Sequence, residues 1–315
     1  MTVNTALLQS LGSYEDIGSG LAERFLTPLL GGGQSVAVLS RPLGQARQTG
    51  WVLCHSFGAE QINLQPLEVM TARLLAARGF AVLRFHSQGY GDSEWPTGRS
   101  DTGSHVRDAV DAAEVLLETT DVSGFGFIGG RFGGAVAALA GDLRGARAIG
   151  MWNPVLDGGR YIRALVRLSL VTEMAGRGRP RTTARHPRRD LRERGQLEID
   201  GFPISREVFQ NITDLDLVRS LSRFSGESLV AQVSPTASIR PDVERLIDRL
   251  AELGGRCTTE LIPDPEARTF GRPRYRTSAS GRKTDTQATL SSRLALTTLR
   301  WCLAADERLS SGASA

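Results

Sequence analysis

Between residues 35 and 154, short apolar runs alternate with longer amphipathic stretches. The segments "SVAVLSRP" (35–42) and "GWVLCHS" (50–56) read as strands, the second an almost unbroken apolar run suited to a sheet covered on both faces. In "LEVMTARLLAARG" (67–79) leucine and methionine recur at helical spacing, and the pattern stops at Gly79, as helices commonly do. A strand "FAVLRFH" (80–86) follows, then a loop rich in glycine (87–101), an amphipathic helix (104–120), a strand "VSGFGFIG" (122–129), an alanine-rich helix and a strand "ARAIGMWNP" (146–154).

Strands alternating with helices of this length imply right-handed βαβ units and a mostly parallel central sheet flanked by helices, an α/β fold. The alternation breaks from Asp157 to Ser225, where helices over 159–174 and 205–223 flank an arginine-rich connector. It resumes with a strand (228–234), a helix (242–255), a strand (257–263) and a last helix (288–305). The expected organisation is therefore a core of residues 1–156 and 226–305, a helical cap over 157–225, and a flexible tail over 306–315. There are no internal repeats.

Composition narrows the function classes. With 40% hydrophobic and 23% charged residues the chain is of the folded globular class. The 38 basic against 34 acidic residues leave an excess too small to argue for nucleic acid. The connector "RGRPRTTARHPRRDLRER" (177–194) is basic but has no interleaved aromatic residues, which argues against single-stranded nucleic acid. It reads either as a solvated linker or as a docking surface for an acidic partner such as a carrier protein. A second basic stretch covers 268–283. No apolar run approaches the roughly 18 residues of a membrane span. The start of the chain has no basic region of a signal peptide, so the expected location is the cytoplasm. Cys54, Cys257 and Cys302 form no C-x-x-C pair, and no group of residues has metal-ligand spacing, so no cofactor is expected.

The most informative stretch is "FIGGRFGGAVAALA" (127–140): a strand, a glycine-rich turn and a helix. In a nucleophile elbow of the form G-x-S-x-G, small flanking residues let the helix pack on the strand while the serine is held out at the turn. Here the central residue is Arg131. Three motifs together resemble the α/β-hydrolase fold: "GGRFGG" at the elbow, "HSFG" (55–58) after the third strand, and "RFHSQGYGDSE" (84–94), in which His86 replaces an aspartate. The resemblance implies a backbone oxyanion site shared by "HSFG" and the elbow. More specifically, the segments 55–94, "MWNPVLDGGRYIRALVRLSLVTEM" and "LRERGQLEIDGFPIS" resemble hydrolase-like proteins associated with exosortase and extracellular-polysaccharide loci, over roughly residues 25 to 305. One branch of that group also carries arginine in its elbow.

The departures matter as much. Arg131 stays protonated and cannot attack a carbonyl. The segment after the last strand has no histidine; the four in the chain are His55, His86, His105 and His186. The region after the preceding strand offers only Asp242, which the reading assigns to capping a helix. Ser-His-Asp hydrolysis is therefore not expected.

Two readings of Arg131 stay open. It binds an anion, helped by the helix N-terminus and the N–H groups of Phe132 and the "HSFG" loop, or it pairs internally with an acid and closes a dead pocket. Gly130 and Phe132 of the elbow, Ser56 and Phe57 of "HSFG", and Asp92 are the candidate ligand contacts. If the protein is catalytic, Arg131 would polarise a carbonyl and His55 or His86 would move protons. The expected ligand is a small anionic or acylated metabolite, and the expected role is a pseudoenzyme that supports a catalytic paralogue. The alternatives are an acyl hydrolase or transferase of unusual mechanism, and a scaffold protein.

Overall fold

In the computed structural model, which describes residues 12–94, 100–177, 187–265, 267, 270–271 and 286–312, the chain opens on an antiparallel pair, β1 (Ser13–Asp16) and β2 (Leu21–Leu26). A small hairpin of β3 (Leu29–Leu30) and β4 (Gly33–Gln34) leads to β5 (Ala37–Pro42) and β6 (Thr49–Cys54). Helix α1 (Ala59–Ala76), β7 (Val82–Phe85), α2 (Thr102–Thr119), β8 (Gly124–Gly130), α3 (Phe132–Arg144) and β9 (Ala148–Trp152) follow. The inserted segment holds α4 (Gly158–Arg177), α5 (Pro187–Glu193), β10 (Gln196–Ile199), β11 (Phe202–Ser205), α6 (Arg206–Thr213) and α7 (Leu217–Ser220). The chain then returns through β12 (Glu227–Ser234), α8 (Pro241–Glu252), β13 (Arg256–Pro263) and α9 (Thr286–Gly312).

Nine strands form one sheet in the order β1-β2-β5-β7-β6-β8-β9-β12-β13. The run from β7 to β13 is parallel, as the alternating pattern requires, and β1, β2 and β5 extend it by antiparallel pairing. Every residue of β6, β9 and β12 is buried, which accounts for the apolar runs of β6 and β9. Alternate residues feed two cores. Val52, Cys54 and Phe127 face one that α2, α3 and the insertion share, while Trp51, Leu53 and Ile128 face one closed by α1 and α9.

The structure departs from the sequence reading in four places. Helix α1 begins at Ala59, eight residues before its apolar periodicity, because buried polar residues (Glu60, Gln61, Glu68) interrupt the pattern. The insertion is not wholly helical: β10 and β11 pair with Leu197 opposite Ile204, joined by an Asp200-Gly201 turn with φ of 50° and 85°. The single helix expected over 205–223 is two, α6 and α7. The last helix runs on through the expected tail to Gly312, tied down by ion pairs from Asp306 to Arg47 (2.9 Å) and from Arg308 to Glu227 (2.8 Å). Most of the connector's centre (178–186), His186, and nearly all of the second basic stretch lie outside the described residues. Among the described residues no helix is long and apolar enough to cross a membrane.

Candidate ligand site at the ends of the central strands

The turn between β8 and α3 keeps the geometry of an elbow although its central residue is arginine. Arg131 has φ 53° and ψ −120°, a conformation that costs a non-glycine residue about 1–3 kcal/mol. Its backbone is fixed on both sides: its N–H donates to the Trp152 carbonyl (2.9 Å) and its carbonyl accepts from the Val155 N–H (3.0 Å). The glycines are needed for contact as much as for conformation. A Cβ on Gly133 would lie 2.2 Å from the Cys54 carbonyl oxygen, and one on Gly129 would lie 2.2 Å from that of Gly133. Helix α3 can start against the end of β6 only because both are glycine. Asn153, one residue past β9, also has a positive φ (48°), so two neighbouring strands end in strained non-glycine residues. The N–H groups of Phe132 and Phe57 donate to nothing among the described residues.

The Arg131 side chain meets an acid. Its Nε donates to Glu60 Oε1 at 3.3 Å, and its guanidinium carbon lies 5.6 Å from the centre of the Tyr161 ring. The other oxygen of Glu60 accepts from Ser56 Oγ (3.0 Å) and from the Tyr161 hydroxyl (2.8 Å). Three donors thus converge on one carboxylate that is 3% exposed, in place of the water it has lost. Burial pushes the Tyr161 hydroxyl well above its usual range, with the Glu60 charge adding to the shift, so it donates as a neutral phenol. The Arg131 side chain keeps 22% exposure, and its two Nη groups make no hydrogen bond among the described residues. Gly271, from the loop after β13, sits against the Arg131 stem and Glu60: a Cβ there would lie 3.4 Å from Arg131 Cγ.

The other sequence candidates fall into two groups. His55 is buried with both ring nitrogens engaged: Nε2 accepts from the Ser87 N–H (2.9 Å), so Nδ1 carries the proton and donates to the Ser56 carbonyl (2.8 Å). Burial holds its pKa well below the ordinary value, with the neighbouring His105 adding to this. As placed, His55 is a neutral staple between two loops. His86 is partly buried and lies beneath Gly91, its Nδ1 without a partner among the described residues, while Asp92 is exposed. Burial lowers the His86 pKa against the opposing pull of Asp92. Neither His86 nor Asp92 makes a hydrogen bond or ion pair with Arg131 or Glu60.

Ser56 is buried and bound to Glu60; Gly130 is buried beside Leu64 and Trp152. Phe57 and Phe132 are buried rings, 5.5 Å apart, and Phe132 stacks on Tyr161. Of this group only backbone N–H groups are available to a ligand. Asp242 does not cap α8, whose first flanking residue is Arg240; it pairs instead with Arg160 of the insertion (3.2 Å) and with Arg240 (3.1 Å). Among the described residues no three potential metal ligands cluster.

Sequence reasoning missed Glu60 and Tyr161. Both stand in segments that carry the resemblance, Glu60 in 55–94 and Tyr161 in "MWNPVLDGGRYIRALVRLSLVTEM", and the reading that Arg131 pairs with an acid left that acid unnamed. A charged residue two positions after the helix-flanking Gly58, in the first turn of a buried helix, is the signal that was available.

No protein-family model matches the sequence, and no curated protein matches it. Solved structures do. Est1E from Butyrivibrio proteoclasticus, solved with ferulic acid, is 12% identical over 88% of this chain and 99% of its own, with a TM-score of 0.54. A hydrolase candidate from Agrobacterium vitis S4 is 13% identical over 89% and 98%, TM-score 0.55, and a hypothetical protein from Pseudomonas aeruginosa is 14% identical over 89% and 95%, TM-score 0.52. The strand order, the strained turn at Arg131 and these likenesses lead to one conclusion: the chain has the α/β-hydrolase fold.

Proposed function

We propose that this protein is a non-hydrolytic member of its fold, a pseudoenzyme that binds an anionic or acylated metabolite at Arg131. The observation that carries the reading is the Arg131 side chain itself. It stands where a nucleophile would, in a strained backbone, with its Nε given to Glu60, no other guanidinium hydrogen bond among the described residues, and 22% of its side chain exposed. An arginine that served only to close a pocket would gain more from a two-point pair than from one contact at 3.3 Å. The N–H groups of Phe132 and Phe57, which have no acceptor among the described residues, add donors of the kind an anion requires. The resemblance to hydrolase-like proteins of polysaccharide loci supplies a setting, a biosynthetic pathway in which the protein supports a catalytic paralogue or a carrier protein.

The test combines chemistry and binding. Intact protein is treated with a fluorophosphonate probe and short acyl esters beside Arg131→Ser and Ser56→Ala variants, and melting is followed with added carboxylates and acyl phosphates. Absent labelling, absent turnover and a carboxylate-dependent rise in Tm that disappears in Arg131→Gln are expected. Turnover that is lost in Ser56→Ala would replace this reading with an enzyme whose nucleophile is Ser56.

A further inference from the structure

We infer that Tyr90 is a further ligand-binding residue, whose hydroxyl donates to the anion held at Arg131. The inference rests on the anion-binding reading of that site. Tyr90 lies in the loop after β7, and its hydroxyl oxygen accepts the Gly58 N–H at 2.9 Å. Gly58 directly follows Phe57, whose own N–H is one of the two backbone donors offered to the anion. Consecutive backbone nitrogens lie less than about 4 Å apart, so the Tyr90 oxygen is within about 7 Å of the Phe57 nitrogen. The two oxygens of one carboxylate span that gap with a hydrogen bond at each end.

The hydroxyl is a donor held in place. A phenol oxygen carries one proton and two lone pairs, and the Gly58 bond uses a lone pair and leaves the proton. That proton has no acceptor among the described residues. Burial pushes the hydroxyl above its ordinary pKa, so the proton stays on at neutral pH. The ring is 3% exposed and hemmed in, with its centre 4.8 Å from that of His55, 5.3 Å from that of His105 and 6.1 Å from that of Phe202, on which it stacks. It also lies near the Arg131 unit: a charge on Tyr90 would raise the pKa of Tyr161, whose hydroxyl binds Glu60.

A buried phenol that has only accepted a bond gains most from an anion, through a charge-assisted O–H bond shielded from water. With Arg131, Phe132 and Phe57 it surrounds the ligand with donors from three loops. That set suits an oxyanion with at least two acceptor oxygens, such as a carboxylate. Tyr90 adds a hydrogen bond to this set without adding charge.

Two measurements separate a ligand donor from a residue that only holds the loop through Gly58. Calorimetric titration with hexanoate at pH 7.5 gives the affinity, and NMR of Cζ-labelled tyrosine reads the phenol itself. The chain has four tyrosines, so Tyr14→Phe, Tyr161→Phe and Tyr275→Phe assign the Tyr90 signal by elimination. Wild type is expected to bind hexanoate, with the Tyr90 signal moving downfield, toward the phenolate position, as the site fills. Tyr90→Phe is expected to bind about tenfold more weakly.

Unchanged affinity in Tyr90→Phe overturns the role of Tyr90 and leaves the anion site standing. A Tyr90 signal that does not move downfield while hexanoate binds does the same, and it decides the matter even if Tyr90→Phe does not fold. If hexanoate does not bind wild type, or binds Arg131→Gln as tightly, the anion site itself fails, and this inference with it.

Discussion

Helix α1 carries two buried carboxylates eight residues apart, Glu60 and Glu68, and they could hardly be treated more differently. Glu60 receives three donors, from Arg131, Ser56 and Tyr161. Glu68 is also buried but has an oxygen with no partner, although Arg84 lies close enough to bias it and has a buried unpartnered Nε of its own. The reason lies one strand away. Glu23 on β2 takes the ends of both nearby guanidinium groups, from Arg73 (2.6 Å) and Arg84 (3.2 Å), together with the Ser40 hydroxyl (2.9 Å). Glu68 is left without a donor among the described residues, and burial pushes its carboxyl up to about 8. The lesson is that donor supply, more than position on a helix, decides whether a buried acid carries charge or holds a proton.

The largest expected effect tests the protonated member. Between the unfolded value of 4.5 and the folded value of about 8, the native state keeps a proton that the unfolded chain releases. Its contribution is therefore full at low pH and is lost as pH rises through that window. From pH 5 to pH 8 this amounts to at most about 4 kcal/mol. Urea unfolding at pH 5, 6.5 and 8 should show the decline in wild type and a flatter profile in Glu68→Gln. Parallel profiles would mean that Glu68 is not held protonated by the fold, and the contrast would collapse.

Breaking the charged member comes next. Glu60→Ala removes the acceptor of two buried hydroxyls and leaves Arg131 facing a gap. The expected loss is about 3 kcal/mol, moderated because the Arg131 side chain can reach water. A loss below about 1 kcal/mol would show that the guanidinium relocates without cost, as at a surface pair.

How much of this was readable beforehand depends on which physical signal each part leaves. The elbow was legible because a close approach leaves glycines: Gly129 and Gly133 each face a carbonyl that no Cβ could clear. The parallel sheet was legible because strands such as β6 and β9 are buried on both faces and so are almost wholly apolar. Glu60 was not, since the first two turns of α1 bury glutamate and glutamine and contain Pro66, which together erase the helical period. The β10–β11 hairpin did leave a trace. Gln196 and Glu198 are exposed while Leu197 and Ile199 are buried, and an Asp-Gly pair makes the turn, but four residues are too few to stand out beside an arginine-rich connector. The insertion's part in the site, Tyr161, could not be read from spacing, because it depends on how a lid folds back over a core.

Tyr161 is where the smallest effect should be found, and it sharpens the comparison most finely. Its hydroxyl is the one donor to Glu60 that comes from the insertion; the other two come from the core. Tyr161→Phe keeps the ring, its stacking on Phe132 and its place beside the Arg131 guanidinium, and deletes only that bond. The expected cost to global stability is about 1 kcal/mol, since Glu60 retains two donors. The local effect should be larger in proportion. Helix α4 begins three residues before Tyr161, so amide exchange in its first turns should quicken relative to the sheet strands, which should be unmoved. Exchange unchanged in α4 would mean that the aromatic packing alone holds the lid, and that Glu60 carries its charge on Ser56 and Arg131 without help from the insertion.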